Sequence, residues 1–270
     1  MAIKVAVAGA RGRMGGQVVG SVLETENMEL VAGFDSRGVG EEIAPGTGVK
    51  ILSPEELEHV LNKVKPDVFV DFTNAAVAVE NVKVAARNNL KLVVGTTGFS
   101  EEQFKEMENA IKDHVPAIIS PNFSIGVNVF WKLIADAARH FLPYRYHMEI
   151  IEMHHSHKKD APSGTAVKAA EILADCLGEK NASFVYGRQG ITGERTDEEI
   201  GIHAIRAGDI VGDHTVLYAG KGERLEITHR AHSREAFARG AIKAIEWINR
   251  KEEAGIYSMD EMMGELERDK

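Results

Sequence analysis

VAVAGARGRMG, the sequence of residues 5–15, joins a predicted strand to a predicted helix through a glycine-rich turn. The β-branched run Ile3–Ala8 stops at a glycine and predicts a buried strand, and the helical spacing of apolar residues in Met14–Glu24 predicts a helix. Glycines at such a turn let a pyrophosphate approach the main chain, and the N–H groups at the start of the helix bind its charge. The segment therefore predicts the first strand, turn and helix of a dinucleotide-binding fold.

An acidic residue after the second predicted strand supports this interpretation. Gly9, Gly12 and Gly15 follow the spacing GxxGxxG, with Arg11 where the usual GxGxxG pattern has its second glycine. Asp35 comes about 20 residues after the last of these glycines, where a carboxylate accepts hydrogen bonds from an adenosine ribose. The alternative is a strand-to-helix turn that binds no ligand, and the position of Asp35 favours the dinucleotide.

The choice between NADH and NADPH stays open on these residues. A carboxylate at Asp35 favours NADH because it repels the 2′-phosphate of NADPH. Three cations near it in sequence, Arg11, Arg13 and Arg37, are placed to bind that phosphate. Both cofactors therefore remain compatible with the turn.

The predicted strands and helices follow one pattern in the first part of the chain and a different pattern in the second. Up to Pro121, short apolar runs alternate with amphipathic ones, which is typical of a parallel sheet covered by helices on both faces. Beyond it, strand-like runs such as Gly201–Arg206 and His214–Ala219 follow one another and predict a mixed or antiparallel sheet in a second, α+β unit. An amphipathic helix over Arg234–Arg250 is expected to pack on the first unit or to bridge the two, and the acidic segment after Met259 is expected to be solvated.

The chain is acidic, and its composition excludes several classes of protein. Its 270 residues carry 32 Lys and Arg against 41 Asp and Glu, a net charge of −9. This charge argues against binding to nucleic acid or to an anionic membrane surface, since both need clustered cations. The single cysteine, Cys176, excludes an internal disulfide and is expected to be buried and inert. No apolar stretch reaches the roughly 20 residues that span a bilayer, so we expect a cytoplasmic protein with no membrane partner.

Side chains that can bind ions or transfer protons are most concentrated in residues 152–165, EMHHSHKKDAPSGT. Residues 154–159 hold three of the eleven histidines and two lysines, although the chain as a whole is acidic. Such a local reversal of charge suits a small acidic substrate, histidine transfers protons near neutral pH, and lysine binds carboxylates or donates a proton. A helix predicted to start at Gly164 would point its amides at an anion.

Two alternatives for this segment have weaker support. A metal site is disfavoured because the histidines lack the i, i+4 spacing of a helical ligand pair and because the adjacent lysines repel a cation. A solvated polar loop without function is the other alternative. A substrate site beside a dinucleotide fold explains the cluster better than either.

Several further segments carry distinctive sequence. They are VDFT (70–73), VVGTTGF (93–99), SPNFSIGVN (120–128), EIIEMHHSHKKDAPSGTA (149–166), RAGDIVGDHT (206–215) and ERLEITHRAHSR (223–234). In this order, and together with the glycine-rich turn, these motifs resemble the dihydrodipicolinate reductase family over nearly all of the chain.

The resemblance implies a fold and a reaction. The fold is a Rossmann-like parallel-sheet domain from residues 1–123 and 235–270, plus a smaller α+β domain of residues 124–234 with an open mixed sheet. The first domain would bind NADH or NADPH, and the second would bind a small dicarboxylate substrate and assemble a homotetramer. The reaction would be the reduction of a cyclic, unsaturated imine dicarboxylate to tetrahydrodipicolinate in the diaminopimelate route to lysine.

The resemblance also implies roles for individual residues, and none of them involves a metal. His154 would donate and accept a proton, and Lys158 would donate a proton and steady the substrate. The substrate would further be bound by His155, Gly164 and Thr165. The cofactor would lie on Gly9, Ala10, Arg11, Gly12, Arg13, Met14, Asp35, Gly95, Thr96, Thr97, Ser120, Pro121, Asn122 and Phe123.

Two departures from the family pattern concern the cofactor. Many members carry a basic residue directly after the acidic one, whereas here Ser36 stands at that position and Arg37 follows it. Ser120 and Pro121 stand where other members often have small, alanine-like residues. We expect the second change to be tolerated, because cofactor contacts there would be made largely by the backbone.

Two other functions stay open. A different two-domain nicotinamide dehydrogenase, acting on aspartate or its semialdehyde, would share the glycine-rich turn but not the HHSHKKDAPSG loop. A dinucleotide-sensing protein without catalysis would keep the turn and need no cluster of histidine and lysine.

Overall fold

The computed structural model describes residues 1–178 and 182–268. The chain divides into two compact units, Met1–Ser124 with Glu235–Lys270 and Ile125–Arg234. Within the described ranges, no helix combines the length and the apolar sequence that crossing a membrane requires.

Strands and helices alternate in the first unit, and strands predominate in the second. The strands are β1 (Ile3–Ala8), β2 (Met28–Phe34), β3 (Ile51–Leu52), β4 (Val68–Asp71), β5 (Lys91–Val94), β6 (Pro116–Ile119), β7 (His147–His154), β8 (Ser183–Tyr186), β9 (Glu199–Arg206), β10 (Asp213–Gly220), β11 (Glu223–Arg230) and β12 (Gly255–Tyr257). The α-helices are α1 (Gly15–Glu24), α2 (Leu57–Val64), α3 (Ala75–Arg87), α4 (Glu101–Ile111), α5 (Ile125–Phe141), α6 (Gly164–Leu177), α7 (Glu235–Ile248) and α8 (Met259–Arg268).

The first unit is built on a seven-stranded sheet whose neighbouring strands are all parallel. Its strand order is β12-β6-β5-β4-β1-β2-β3, which confirms the predicted Rossmann-like sheet. Because β1 lies between β2 and β4, the order of the strands reverses at β1. In open α/β sheets, ligands bind outside the carboxyl ends of the strands at such a reversal.

Apolar side chains pack on both faces of this sheet, and β1 shows why. Val5 and Val7 belong to a buried cluster with residues of α1, α7 and α8, whereas Ala6 and Ala8 belong to a second cluster with residues of α2, α3 and α4. A strand buried on both faces has no solvent side, so its sequence reads as one continuous apolar run.

The C-terminal part of this unit corrects one expectation. The segment after Met259 forms α8 rather than a solvated tail, because Met259, Met262 and Met263 recur at helical spacing and are all buried. The acidic side chains of Asp260 and Glu261 lie on the exposed side of the same helix. The helix before it, α7, packs against α1 and against β5 and β6 of the sheet.

The second unit is built on a mixed five-stranded sheet of order β11-β10-β7-β9-β8. Strand β10 is antiparallel to β7 and β11, whereas β7 is parallel to β9 and β9 to β8, which confirms the predicted open mixed sheet. The buried face of β7 and β10 packs against α5 and α6, where the hydroxyl group of Tyr218 donates to the carbonyl oxygen of Ile134 at 2.5 Å. Cys176 of α6 is half-buried, and burial raises the pKa of its thiol.

Candidate active site

The glycine-rich turn after β1 is a close-packed main-chain structure. The N–H groups of Gly9 and Ala10 both donate to the carbonyl oxygen of Phe34, at 2.9 and 3.0 Å. Gly9 has a φ of +76°, which favours glycine. A Cβ on this residue would also lie closer than 3.0 Å to the carbonyl oxygen of Phe72. The turn therefore presents main chain rather than side chain to an approaching ligand.

Gly12 and Gly15 are required for a related reason. A Cβ on either residue would lie closer than 3.0 Å to the carbonyl oxygen of Gly9, which also accepts the N–H of Gly12 at 2.8 Å. Helix α1 begins at Gly15, and the residue before it, Met14, provides no side-chain cap. The partial positive charge of the helix N-terminus is therefore available to an anion.

Asp35 lies directly after β2 and is only 8% exposed. Its Oδ2 accepts the N–H of Arg11 at 2.9 Å, and its Oδ1 accepts the N–H of Arg37 at 3.0 Å. The guanidinium of Arg37 donates to the carbonyl oxygen of Arg11 at 2.9 Å, whereas the guanidinium of Arg11 pairs with Glu41 at 2.6 Å. A carboxylate offers about four lone-pair sites, so Asp35 keeps acceptor capacity for a ribose hydroxyl group.

A cavity of about 290 Å³ lies where the strand order reverses. It is bounded by the ends of β1, β2 and β4, and its polar and main-chain lining includes Gly9, Gly12, Asp35, Arg37, Thr73 and Asn81. A mostly apolar wall with a few convergent polar groups is typical of a small-molecule site. The glycine-rich turn and Asp35 thus meet in one pocket of the first unit.

A buried carboxylate, Asp71, ties together two loops at the carboxyl edge of this sheet. It accepts hydrogen bonds from the main chain and hydroxyl of Thr73 (3.0 and 2.7 Å), from the hydroxyl of Thr96 (2.7 Å) and from the amide of Asn81 (2.7 Å). Burial raises the pKa of Asp71, and these hydrogen bonds oppose the rise. Sequence reasoning singled out the motif VDFT but gave this residue no role.

The predicted residues after β5 pack beneath an aromatic ring. A Cβ on Gly95 would lie closer than 3.0 Å to the ring of Phe72, so only glycine lets the two strand ends approach. Thr96 is buried, whereas Thr97 is exposed. The ring of Phe72 also lies 5.9 Å from that of Phe123, which follows β6 and is buried.

The side-chain hydroxyl of Ser120 holds the remaining predicted loop, which follows β6. The hydroxyl of Ser120 accepts the N–H of Asn122 at 3.2 Å and donates to its carbonyl oxygen at 2.8 Å, and Pro121 between them is exposed. The structure thus places the predicted cofactor residues after the strands or at the start of α1, along the carboxyl edge of one parallel sheet.

In the second unit, His154 is the last residue of β7, and its ring is tied to a carboxylate. Its Nδ1 lies 2.5 Å from Oε2 of Glu152, which stands two residues earlier on the same face of the strand. Glu152 is fully buried, and His154 is 8% exposed. The ring of His214 from β10 lies edge-on, with the ring centroids 5.1 Å apart.

Glu152 accepts further hydrogen bonds from two directions. Arg206 of β9 donates through Nη1 to Oε2 (2.9 Å) and through Nη2 to Oε1 (2.8 Å), and the main-chain N–H of Ser163 donates to Oε1 (3.0 Å). Burial by itself raises the pKa of Glu152, but the hydrogen bonds from His154, Arg206 and Ser163 outweigh it and lower the pKa to about 2. The carboxylate is therefore ionised at neutral pH and acts only as an acceptor.

Lys158 lies in the loop between β7 and α6 and is paired with Asp160. Its Nζ is 2.9 and 2.8 Å from the two carboxylate oxygens, and its side chain is 20% exposed. The N–H of Lys158 donates to the carbonyl oxygen of His155, and the N–H of Ser156 donates to that of Gly208, both at 3.1 Å. Lys158 and His155 therefore belong to one ordered turn, directly after His154.

Helix α6 begins at Gly164, with Ser163 as its N-cap. The hydroxyl of Ser163 accepts the N–H of Ala166 at 3.2 Å and lies 3.0 Å from Nε2 of His214. A Cβ on Gly164 would meet nothing within 4 Å, so the first turn is open on that side. The amides of Gly164 and Thr165 are placed at a helix N-terminus, where anions bind.

Sequence reasoning missed three side chains of this cluster: Glu152, Arg206 and His214. The alternation of a strand places Glu152 on the same face as His154, so its spacing carried a usable signal. Arg206 and His214 come from other strands, and only the register of the sheet brings them here. Burial, reinforced by nearby His154, lowers the pKa of His214 to about 3, so its ring is neutral at pH 7.

No group of three or more His, Cys, Asp or Glu side chains that could hold a metal ion occurs in the described part of the chain.

Two family models match the chain, one for each half. Residues 3–123 match the model described as dihydrodipicolinate reductase, N-terminus, and residues 126–263 match dihydrodipicolinate reductase, C-terminus. The two matches cover most of the residues of both units.

Curated relatives are similar over almost their whole length. The 4-hydroxy-tetrahydrodipicolinate reductase of Methanocaldococcus jannaschii is 53% identical over 271 residues, covering 97% of this chain and 97% of its own. The protein of the same name from Methanothermobacter thermautotrophicus is 49% identical and covers 97% of this chain and 99% of its own.

Solved structures agree with this grouping. A dipicolinate-bound dihydrodipicolinate reductase from Paenisporosarcina sp. TG-14 has a TM-score of 0.75 and 31% identity, covering 96% of this chain and 98% of its own. An aspartate semialdehyde dehydrogenase from Vibrio cholerae has a TM-score of 0.54 and 10% identity, covering 91% of this chain and 98% of its own. The second likeness shows a shared fold alone.

Proposed function

The chain belongs to the dihydrodipicolinate reductase family, and we propose which of its residues carry out the reaction. The enzyme reduces 4-hydroxy-tetrahydrodipicolinate to tetrahydrodipicolinate with NADH or NADPH, a step of lysine and diaminopimelate biosynthesis. In the balance of atoms, the substrate loses one water and gains one hydride and one proton.

The residues of the first unit fit a dinucleotide. Gly9, Gly12 and Gly15 pack against main chain where a Cβ would not fit, which holds the turn tightly at the start of α1. The main-chain N–H groups there would bind a pyrophosphate. Asp35 would accept a ribose hydroxyl group, and the predicted residues after β5 and β6 would hold the rest of the cofactor. When bound, the reduced nicotinamide supplies the hydride.

The ordered loop after β7 is the observation that carries the assignment of the second unit. Lys158, His155 and the open helix start at Gly164 and Thr165 stand within one short segment, in a chain whose net charge is −9. A dianionic substrate needs cations and N–H donors for its two carboxylates. We propose that these groups bind the carboxylates and orient the ring, which lowers the barrier largely by positioning.

His154 and Lys158 are the proposed proton donors. The ionised Glu152 accepts a hydrogen bond from Nδ1 of His154, so Nε2 is the nitrogen that exchanges a proton with the substrate. Lys158 carries a proton on a side chain that is four-fifths buried. Removing a general acid lowers turnover by about 10²- to 10⁴-fold.

We also propose that the second unit assembles the enzyme as a homotetramer. In the described ranges, α5 and α6 pack on the face of its sheet that carries Ile150, Ile202 and Val216. The alternation of the strands puts Ile151, Ile205 and Leu217 on the other face. Ile205, for example, is 41% exposed on that face, and partly exposed apolar side chains on an open sheet suit a contact between copies. Light scattering of the full chain should give four times the chain mass of 29.5 kDa.

The proposed roles are tested with His154→Gln, Lys158→Met and, as a matched control, Lys159→Met of the adjacent exposed lysine. Nicotinamide oxidation is followed with freshly made 4-hydroxy-tetrahydrodipicolinate and with aspartate as the negative substrate. Turnover should fall by about 10²- to 10⁴-fold in the first two variants and stay near wild type in the third. Full turnover in Lys158→Met, or an equal loss in Lys159→Met, would overturn the assignment.

A further inference from the structure

The two proposed proton donors are joined through one hydrogen-bonded network, which is fully buried at Glu152 and more exposed toward Asp160. Glu152 holds Nδ1 of His154 and receives both terminal nitrogens of Arg206. The Nη2 atom of Arg206 also donates to the carbonyl oxygen of Asp160 at 2.6 Å, and the carboxylate of Asp160 pairs with Lys158. One guanidinium group therefore connects the strand that carries His154 to the loop that carries Lys158.

We propose that Glu152 and Arg206 are positioning residues for the proton transfer, and this inference rests on the proposed roles of His154 and Lys158. Glu152 fixes the ring of His154 as the Nδ1–H tautomer, which leaves Nε2 to exchange the proton. Arg206 holds Glu152 by a two-pronged contact and holds the loop of Lys158 at the same time.

The tautomer follows from the donors around Glu152. Each carboxylate oxygen accepts a hydrogen bond from one nitrogen of Arg206, and Oε1 accepts a second one from the N–H of Ser163. A proton on the carboxylate would therefore displace one of these donors. An ionised carboxylate is only an acceptor, so Nδ1 of His154 carries the hydrogen of the 2.5 Å contact. The bond made by one ring nitrogen determines the role of the other.

A glycine supports the role of Nε2. A Cβ on Gly212 would lie 3.0 Å from Nε2 of His154, which is tighter than ordinary van der Waals contact. The absence of a side chain at residue 212 therefore keeps that nitrogen from being crowded.

Several charged and titratable groups surround the ring of His154, and all of them enter its pH dependence. They are Glu152 of β7, Arg206 of β9, His214 of β10 and, from the loop, Lys158 and Asp160. Of these, Glu152 alone bonds the ring directly. Loss of its negative charge disfavours the protonated ring, since an adjacent opposite charge stabilises the charged form.

A second network on the same strand provides a matched comparison. Glu149 of β7 is bonded by both terminal nitrogens of Arg188, by Nε of Arg195 and by Nε2 of His203. Burial alone raises the pKa of Glu149, but these bonds lower it to about 2, as they do for Glu152. Glu149 lies on the opposite face of the strand. Loss of either carboxylate should cost stability, but of the two only Glu152 bonds a proposed proton donor.

The first experiment compares Glu152→Gln, Arg206→Lys and Glu149→Gln in the full chain by steady-state kinetics across pH, with solution mass checked for each. In Glu152→Gln, kcat should fall about 10- to 100-fold with a smaller change in KM, as expected for an orienting partner. The alkaline limb of its kcat profile should move to lower pH, because the negative charge beside the protonated ring is lost. Arg206→Lys keeps the charge but loses the planar fork, so kcat should fall without that shift.

The Glu149→Gln variant is the control against which the kcat of Glu152→Gln is compared. Glu149→Gln should keep kcat within about twofold and keep the wild-type pH profile, because Glu149 bonds Arg188, Arg195 and His203 and neither proposed proton donor. If Glu152→Gln behaves like Glu149→Gln, or if both lose kcat equally, Glu152 has no positioning role.

A second experiment does not depend on turnover. Histidine ¹⁵N NMR of the wild-type chain, with His154→Gln used for assignment, should show His154 as the Nδ1–H tautomer when its ring is neutral. An Nε2–H tautomer would overturn the positioning inference even if His154 is essential. Full activity in His154→Gln would instead overturn the proposed catalytic role, so the two failures are distinguishable.

Discussion

Gly240 of α7 lies against the carbonyl oxygen of Phe123, so close that a Cβ on the glycine would fall well within 3.0 Å of that oxygen. Phe123 is one of the predicted cofactor residues, and its ring lies 5.9 Å from that of Phe72. Helix α7 therefore fixes the position of a loop at the carboxyl edge of the sheet.

Gly240→Ala should destabilise the first unit and weaken cofactor binding together. The added methyl group must displace main chain rather than a flexible side chain, and such overpacking costs about 1–3 kcal/mol. Urea unfolding and fluorescence titration with NADH measure the two effects. The control is Gly20→Ala in α1, where a Cβ would meet nothing within 4 Å, and this variant should be about 0.5–1 kcal/mol more stable. Equal effects in both variants would contradict the prediction.

Arg37→Leu should discriminate between the two cofactors. The guanidinium of Arg37 is well exposed beside Asp35, where a 2′-phosphate would lie, and a lost charge-assisted contact of about 1.4 kcal/mol is tenfold in affinity. KM for NADPH should rise about tenfold and KM for NADH should change little. Glu41→Gln, which frees the guanidinium of Arg11, should act in the opposite direction and favour NADPH. A parallel rise in both KM values in Arg37→Leu would show that the arginine shapes the loop and does not select the cofactor.

Asp71→Asn should weaken binding of NADH and NADPH alike. Asp71 accepts bonds from Thr73, Thr96 and Asn81, and an amide cannot accept at both of its terminal atoms. Both cofactors should show KM values about tenfold higher, while KM for the dicarboxylate should stay close to wild type. Asp67→Asn removes an exposed carboxylate just before β4, whose Oδ2 accepts the N–H of Lys4, and should change neither value. Asp71→Asn with wild-type cofactor KM would show that the network has no role in binding.

His214→Gln should make the second unit more resistant to acid. Burial lowers the pKa of His214 from 6.5 to about 3. Between these two pH values, the unfolded state binds a proton that the folded state does not. The free energy of unfolding therefore falls by up to about 1.4 kcal/mol per pH unit as the pH drops through this range. The variant should lose this part of the decline. Two other losses of stability remain in the variant. Glu149 and Glu152 lower the free energy of unfolding between pH 4.5 and about 2. His229 also contributes, because burial lowers its pKa.

The measurement uses the one tryptophan of the second unit. Trp131 lies in α5 and Trp247 in α7, so fluorescence in a Trp247→Phe background follows the second unit alone. Urea unfolding at pH 7, 5.5 and 4.5 then gives the slope with and without His214→Gln. Identical slopes for both proteins would contradict the assignment of a buried, neutral His214.

Much of the fold could be predicted because local pattern and tertiary structure agree. The alternating β and α rhythm up to Pro121 predicted a parallel sheet, and the structure confirms it. Pattern missed two strands, β3 with two residues and β12 with three. Both are too short for a periodicity, and each pairs with one neighbour at an edge of the sheet, β3 with β2 and β12 with β6. The prediction of a solvated segment after Met259 was wrong. Its acidic residues suggested exposure to solvent, whereas the spacing of its methionines buries one side of a helix.

The side chains around His154 could be anticipated from the sequence only where they are contiguous with it. The glycine-rich turn and the loop from His154 to Thr165 are local, so their chemistry reads directly from the chain. Arg206 and His214 reach His154 only through the register of β9 and β10 on β7. Spacing cannot reveal such partners, because the pairing of distant strands determines which side chains meet.

The first unit takes α7, β12 and α8 from the far end of the chain, and this has a consequence during translation. The ribosome delivers β1 to β6 long before these elements, so the sheet face that α7 and α8 cover stays bare while the whole second unit is being made. A nascent chain in that state exposes an apolar surface that is prone to aggregate, and chaperones that recognise such surfaces have time to bind it. For the same reason, a fragment ending at residue 124 would keep only α1 on that face and would expose the apolar side chains that α7 and α8 cover in the full chain.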